Sequence, residues 1–175
     1  MTLKHAPFAL SLILLAALPL GGCGLQPMYA GGGNGVVAQG LAGIDVPPIE
    51  GKAGWLVRNA LNDRLSAGGG RDSAPRYRLD VRLDDKLEGL GVLSDDTIGR
   101  ERRTLRARYQ LVDLGSGRIL LDASAGADAG IDVVSSEYAT IAAEQTALEN
   151  LSKEVADRII TSLALRLRKD TATAR

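Results

Sequence analysis

Few side chains in this sequence have the chemistry of a catalyst or a metal ligand. The chain has 175 residues with one histidine, His5, and one cysteine, Cys23. It contains no cluster with metal-ligand spacing and no glycine-rich phosphate loop after a strand. Adjacent carboxylates occur at Asp84-Asp85 and Asp95-Asp96. Neighbours in a strand point to opposite faces, so the first pair cannot converge on one substrate, and the second pair falls in an expected loop. We therefore predict no enzymatic activity, no metal and no cofactor.

The position of Cys23 predicts a lipid anchor. Residues 6–20 form an apolar run after Lys4, shorter than the roughly 20 residues that span a bilayer. A short run that ends in small residues is typical of a secretory signal. It ends in Leu20-Gly21-Gly22-Cys23, which resembles the lipobox of bacterial lipoproteins, whose cysteine is acylated after cleavage before it. We predict a signal peptide over residues 1–22 and lipidation of Cys23, with an ordinary secretory signal as the alternative.

A lone cysteine and its neighbour refine this prediction. Cys23 is the only cysteine, so it has no intramolecular disulfide partner. An unpaired thiol in a secreted chain needs another role, and lipidation supplies one. Two or more acyl chains, at about 0.8 kcal/mol per buried CH₂, make a stable anchor. Gly24 follows, where aspartate would resemble an inner-membrane retention signal. We expect attachment to the outer membrane, facing the periplasm.

Charge is balanced along the whole chain but not along one predicted strand. With 21 basic and 21 acidic residues, the chain lacks the basic excess of a nucleic-acid binder. Between residues 98 and 112, however, the pattern has period two and places four arginines on one exposed face: Arg100, Arg102, Arg106 and Arg108. Arg76, Arg78 and Arg82 of the preceding strand join that face.

Like charges on one sheet face repel, so the arginines require compensation. Asp80 and Asp84 share the face and could form ordinary surface salt bridges with them. Alternatively, the arginines bind an anion or an acidic partner surface, because guanidinium groups hold phosphates and carboxylates through paired hydrogen bonds. Both interpretations remain open from sequence.

The elements that position these residues follow from hydrophobic spacing. Residues 23–40 are glycine-rich and predict a lipidated N-terminus with a flexible tether. Residues 44–46 predict a short edge strand stopped by Pro47-Pro48. A helix follows before the glycines at 68–70, with apolar residues at helical spacing: Trp55, Leu56, Ala60, Leu61 and Leu65.

Three strands and a long helix complete the chain. Strands are expected over 76–84, 98–112 and 118–127, with a loop over 86–97 and a tight hairpin at 114–117. Their inward residues are Tyr77, Leu79, Val81, Leu83, Leu105, Ala107, Tyr109, Leu111, Ile119, Leu121, Ala123 and Ala125. A helix over 136–168 carries the stripe Tyr138, Ile141, Leu148, Leu151, Val155, Ile159, Leu163 and Leu167. Residues 170–175 are expected to be frayed.

The element order predicts an α+β fold. Each strand has one apolar face, so helices must cover one side of the sheet. We expect one domain over residues 41–169: a two-layer sandwich, order β-α-β-β-β-α, in which a mostly antiparallel four-stranded sheet packs under two helices.

The chain resembles the lipopolysaccharide-assembly outer-membrane lipoprotein family, LptE, the small subunit of the lipopolysaccharide translocon. The resemblance is carried by Cys23-Gly24-Leu25-Gln26-Pro27-Met28-Tyr29, by VPPIEGKAGWLVRNALNDRL from residue 46, and by YATIAAEQTALENLSKEVADRIITSLAL from residue 138. Leu25 and Met28 depart from the phenylalanine and leucine common there.

The resemblance implies a plug inside the large β-barrel of the translocon that assists assembly of the barrel and passage of lipopolysaccharide. The lipid A phosphates are then the anions that the arginines would meet. An alternative is a pilotin-like or scaffold lipoprotein of another outer-membrane complex. Anchor and fold are common to both, so they do not separate the two functions.

Overall fold

The structure is a computed structural model that describes residues 35–66, 74–92 and 98–173. Its elements are α1 (Val36–Ala42), β1 (Ile44–Asp45), α2 (Gly51–Ser66), β2 (Tyr77–Val92), β3 (Ile98–Asp113), β4 (Ile119–Asp132) and α3 (Glu137–Thr173). The predicted α+β class is confirmed.

The four strands form one open sheet in the order β1-β2-β3-β4. β1 pairs in parallel with Tyr77 and Arg78, and the other two pairings are antiparallel. Period-two alternation gives β2 and β3 one apolar side, on which Leu79, Leu105 and Leu111 are fully buried. Val81 and Leu121 pack against the core but stay partly exposed.

The helices cover that apolar side. α3 lies across β3 and β4 and contacts α2 along its length, while α1 contacts both long helices. Leu148, Val155 and Ile159 of α3 are buried, as the stripe predicts. The opposite side of the sheet carries no helix among the described residues, so most of its side chains are exposed.

Residues 36–40, which we expected in the tether, belong to α1. Ala38 and Leu41 of this helix are buried. Gly40 comes so close to α3 that an added Cβ would lie 3.0 Å from Cδ1 of Leu167. Contact with the core therefore outweighs the low helix propensity of the glycines. α3 likewise continues past the expected start of a frayed tail at residue 170, to Thr173.

The strands are longer than expected. β2 continues to Val92, so the predicted loop over residues 86–97 is wrong for its first part, and residues 93–97 lie outside the described residues. β3 pairs with β2 throughout this extension. The backbone hydrogen bonds to β3 therefore stabilise a strand that the glycines of this segment would not favour by themselves. β4 likewise continues to Asp132, beyond the expected end at residue 127.

Four apolar residues expected in the core are exposed. Trp55 is exposed because Gly54 beside it turns inward, where an added Cβ would lie 2.5 Å from the Ile49 carbonyl oxygen. Ile119 is exposed because a bulge pairs it with Val112 while Leu121 pairs with Leu111.

The other two exposed residues lie in the first turns of α3. Tyr138 is 84% exposed, whereas Thr140, two residues later, is buried. The Thr140 hydroxyl is held by the carbonyl of Ser136 at 3.4 Å. Ile141 shares the direction of Leu148 but remains 55% exposed.

Candidate functional site: the charged face of the sheet

The open face of the sheet carries the predicted arginine row on its central strand. Even-numbered residues of β3 point to this face because odd-numbered ones fill the core. Arg100, Arg102, Arg106 and Arg108 are all exposed and share one face, as predicted. On β4 they lie opposite Asp132, Gly130, Gly126 and Ser124, respectively.

The two outer arginines of the row are paired with aspartates of β4. Arg100 Nε lies 3.0 Å from Asp132 Oδ1, and Arg108 Nη2 lies 3.1 Å from Asp122 Oδ2. Gln110 donates a second hydrogen bond of 2.9 Å to the same Asp122 oxygen. The bond from Gln110, followed by that from Arg108, lowers the pKa of Asp122 below its ordinary value.

The two inner arginines form no ion pair with the described residues. Arg102 and Arg106 each lie opposite a glycine of β4, which offers neither a charge nor a side chain. Across β2, Arg102 lies in register with Glu88 and Arg106 with Asp84, but neither pair comes within ion-pair distance. Within the row on β3, these two guanidinium groups are therefore the ones that an external anion can reach without displacing a carboxylate.

Of the two aspartates that could pair with the arginines of this face, Asp80 does so and Asp84 does not. Asp80 pairs with Arg78 at 2.9 Å, and Asp84 lies 3.4 Å from Lys86, both within β2. Residues two apart on a strand share a face, so these pairs form locally. Bonding with Asp80 raises the pKa of Arg78.

Two further arginines differ in their surroundings. Arg76 precedes β2, lies 3.9 Å from an Asp113 oxygen, and has its guanidinium carbon 5.1 Å from the centre of the Tyr77 ring. Arg82 lies directly opposite Arg108 and forms no ion pair with the described residues.

The sequence analysis did not identify the β4 partners Asp122 and Asp132. Asp122 alternates with the inward residues Leu121 and Ala123, and this alternation already placed it on the open face.

Asp84 and Asp85 point to opposite sides of the sheet, as predicted. Asp85 lies under the helices, where Arg103 holds both of its oxygens at 2.9 and 2.7 Å. The same guanidinium donates to the Glu144 carbonyl of α3 at 3.1 Å. This group joins β2, β3 and α3, and the hydrogen bond with Asp85 raises the pKa of Arg103. Cys23, Asp95 and Asp96 lie outside the described residues.

The open face is thus a band of guanidinium donors flanked by carboxylates. Such a face can bind phosphate or carboxylate groups at its centre and pair with charged surfaces at its margins. Within the described part of the chain, no helix is both long enough and apolar enough to cross a membrane.

Comparison with known proteins places this fold in a family. The model of the lipopolysaccharide-assembly family LptE matches residues 41–163. The chain belongs to this family. No curated protein matches the sequence.

Solved structures share the fold. A protein described as a lipoprotein from Caulobacter crescentus CB15 has 26% identity and a TM-score of 0.64, covering 78% of this chain and 98% of its own. A minor lipoprotein from Acinetobacter baumannii has 14% identity and a TM-score of 0.55, with coverages of 70% and 88%. Rare lipoprotein B from Shewanella oneidensis has 12% identity and a TM-score of 0.51, with coverages of 75% and 98%. The last two comparisons concern the fold alone.

Proposed function

We propose that this lipopolysaccharide-assembly lipoprotein is held at the outer membrane by lipid on Cys23 and acts as plug and assembly partner of the translocon β-barrel. The family match over residues 41–163 carries the proposal. The open sheet face supports it, because barrel lumens are polar and this face is charged. Its outer ion pairs, such as Arg100 with Asp132, can enter such a lumen without separating.

Depletion of the protein tests this role. We expect mature barrel and surface lipopolysaccharide to fall together, because a plug that assists assembly limits both. Normal amounts of both in a depleted strain would instead support the scaffold or pilotin-like function. Purification in mild detergent gives a second readout, in which the plug co-purifies with one large barrel and a pilotin with a secretin.

The anchor is tested by Cys23→Ala. We expect the variant to leave the membrane fraction or to remain unprocessed, because the acylated thiol is removed. Metabolic labelling with a palmitate analogue should mark the parent and not the variant. A labelled Cys23→Ala protein would disprove lipidation at this position.

Within this role, Arg102 and Arg106 are the proposed contacts for an anion, with Arg100 and Arg108 at the margins. Their guanidinium groups are exposed and form no ion pair with the described residues, whereas Arg100 and Arg108 already have aspartate partners. Free guanidinium groups can bind a phosphate without first releasing a carboxylate. Lipid A phosphates and acidic residues of the barrel wall are the two anions that this function supplies.

Two matched double variants separate these contacts. Arg102→Gln/Arg106→Gln should weaken binding of purified lipopolysaccharide more than Arg100→Gln/Arg108→Gln, and the parent affinity should fall with added salt. A variant with all four arginines changed to glutamine that folds and binds lipopolysaccharide with unchanged affinity would exclude direct lipid binding by the row. Loss of barrel co-purification in that same variant would then assign the row to the barrel wall.

A further inference from the structure

β2 has a long free edge that no other strand of the described chain covers. β1 pairs only with Tyr77 and Arg78, and none of the described strands pairs with residues 79–89 on that side. This stretch contains no proline, and its pairing with β3 is regular throughout. A long regular edge with unpaired N–H and C=O groups is a template for another strand.

The segment that follows β1 is held away from this edge. Pro47-Pro48 has no N–H to donate to a ladder. Arg58 of α2 donates from Nε to the Val46 carbonyl at 2.9 Å, which fixes the chain on the helix side. An open cavity of about 640 Å³ remains between residues 47–49 and residues 79–82, on the side where an added strand would run.

The outer edge of β4, at the other side of the sheet, is partly occupied by α3. Arg166 of α3 donates from Nε to the Leu120 carbonyl of β4 at 2.7 Å, and the Arg158 guanidinium donates to the Gly126 carbonyl. These side chains use backbone acceptors that a further strand would need. β2 therefore presents the more accessible edge.

Alternation shows which backbone groups of β2 point outward. The Tyr77 N–H donates to the Gly43 carbonyl on the β1 side at 3.0 Å. The Arg76 carbonyl accepts from the Leu114 N–H on the other side, at 3.0 Å. Since backbone groups alternate along a strand, the odd-numbered residues of β2 present theirs at the free edge.

Two charges on the open face of β2 lack a partner among the described residues. The other charged residues of that face between positions 78 and 86 pair within the strand. Arg82 lies opposite Arg108 and Glu88 lies opposite Arg102 beyond ion-pair distance, so neither is neutralised by β3. An added strand with an acidic side chain beside Arg82 and a basic one beside Glu88 would complete both pairs.

The helix side of the same edge is apolar. Val81 and Leu83 are partly buried against the core, and Leu87 is 42% exposed. Apolar side chains on an added strand would remove this surface from water. The edge therefore fits a strand with one charged face and one apolar face.

We propose that an extended segment of the translocon barrel, folded into its lumen, adds to β2 as a further strand along residues 79–89. The inference rests on the proposed function, because a plug meets its barrel from the inside. The wall of a closed barrel has no free edge, so the segment is one that departs from the wall. It carries an acidic residue to meet Arg82, a basic residue to meet Glu88, and apolar residues on its other face. Main-chain hydrogen bonds supply the affinity and these side chains the specificity.

Hydrogen exchange tests the added strand in the full chain, free and in the complex purified with the barrel. In the free chain the outward N–H groups of residues 79–89 should exchange rapidly, because no described strand pairs with them. In the complex their exchange should slow at least about tenfold. The outer edge of β4 over residues 124–132 is the control for shielding by the barrel wall, and should slow much less. Equal slowing at both edges, or none at β2, would overturn the proposal.

Leu87→Pro and Leu87→Ala separate the backbone contact from the side-chain contact. The Leu87 N–H points to the free edge, so proline removes a donor that the ladder with β3 does not use, whereas alanine keeps it. Leu87→Pro should lower barrel co-purification about two- to tenfold relative to Leu87→Ala, as for one lost hydrogen bond. Equal co-purification by the two folded variants would contradict strand addition. Circular dichroism checks folding, and the hydrogen-exchange comparison decides if the proline variant is unfolded.

Arg82→Glu tests the charged face of the contact. It should lower co-purification about three- to tenfold, because an ion pair is replaced by a repulsion. Arg118→Glu is the matched control, since Arg118 is also exposed and forms no ion pair with the described residues. Equal effects of the two substitutions would overturn the assigned contact. A parent that co-purifies with no barrel would overturn the proposed function as well, whereas a parent that co-purifies without protection at β2 would overturn this inference alone.

Discussion

Arg106 on β3 occupies the space that a side chain at Gly126 on β4 would fill. A Cβ added at Gly126 would lie 2.8 Å from Cδ of Arg106 and 3.3 Å from the Leu105 carbonyl oxygen. The first contact is shorter than atoms tolerate, so Gly126→Ala must displace Arg106. We expect this substitution to give no gain in the free energy of unfolding, although alanine is otherwise favoured over glycine in a strand by about 0.5–1 kcal/mol.

Gly130 is the matched control for this prediction. It lies on the same strand and face, opposite Arg102, and an added Cβ would meet nothing within 4 Å. Gly130→Ala should therefore stabilise the fold by the full about 0.5–1 kcal/mol. Urea unfolding of both variants measures the difference, and equal gains would show that Arg106 moves aside without cost.

Arg103 should matter more to stability than any arginine of the open face. It holds both oxygens of Asp85 and the Glu144 carbonyl, and the Arg103 and Asp85 side chains are only 16% and 24% exposed. Lysine cannot reproduce this forked geometry. We expect Arg103→Lys to lower the free energy of unfolding by about 1–3 kcal/mol, as for lost hydrogen bonds to charged groups.

Arg100→Lys is the control for Arg103. The pair of Arg100 with Asp132 has exposures of 64% and 75%, so solvent screens it. Loss of such a surface pair costs about 0–1 kcal/mol. Chemical denaturation measures both losses in the free energy of unfolding. A larger loss for Arg100→Lys would contradict the conclusion that Arg103 links the sheet to α3.

The pair of Arg64 with Asp157 predicts a pH effect on the contact between α2 and α3. The hydrogen bond from Arg64 lowers the pKa of Asp157 below its ordinary value. A lowered folded-state pKa means that the unfolded chain binds the proton more tightly, so this stabilisation is present above about pH 4 and is lost as the pH falls further.

Asp157→Asn removes this contribution. Because the Asp157 side chain is 62% exposed, we expect it to cost only about 0.2–1 kcal/mol near neutral pH. The difference in free energy of unfolding between parent and variant should narrow as the pH drops below about 4, because residue 157 becomes neutral in the parent as well. Thermal unfolding over this range measures the gap, and a gap that widened in acid would reverse the sign we assign.

The parts of the fold that sequence predicted are those where local pattern and packing agree. Period-two alternation placed Leu105, Ala107 and Tyr109 inward, because both neighbours of β3 are strands and both of its faces are defined. The same alternation placed the arginine row on one exposed face. A central strand leaves little freedom in register, since a shift of one residue would expose every apolar side chain.

The parts that sequence missed depend on distant contacts. α1 forms because Leu41 is buried in the core and Gly40 lies against Leu167 of α3, more than a hundred residues away, whereas glycine content alone predicts a tether. The inward turn of Gly54 depends on Ile49 against it. Ile119 alternates correctly with Leu121 by sequence, but the bulge between them reverses its direction.

The sequence predicted the arginines of the candidate site but not the aspartates that pair with them. Asp122 and Asp132 were assigned no role, because the register of β4 against β3 cannot be read from either strand alone. Once the register is known, Asp132 falls opposite Arg100, and Asp122 falls one diagonal step from Arg108. The difference between paired and unpaired arginines follows from that register.

Leu148 and Ile141 give a last prediction, because they share one direction on α3 but differ in burial. They are seven residues apart, two turns of an α-helix, yet Leu148 is 2% exposed and Ile141 is 55% exposed. Leu148→Ala should cost about 2–5 kcal/mol, since it removes buried methyl groups and leaves a cavity. Ile141→Ala should change the free energy of unfolding by less than about 0.5 kcal/mol, as for surface substitutions. Urea denaturation midpoints of the two variants compare the costs within one helix. A large loss for Ile141→Ala in the isolated chain would mean that the first turns of α3 are covered by the protein itself. A loss seen only in assembly with the barrel would instead place that apolar side chain in the contact with the partner.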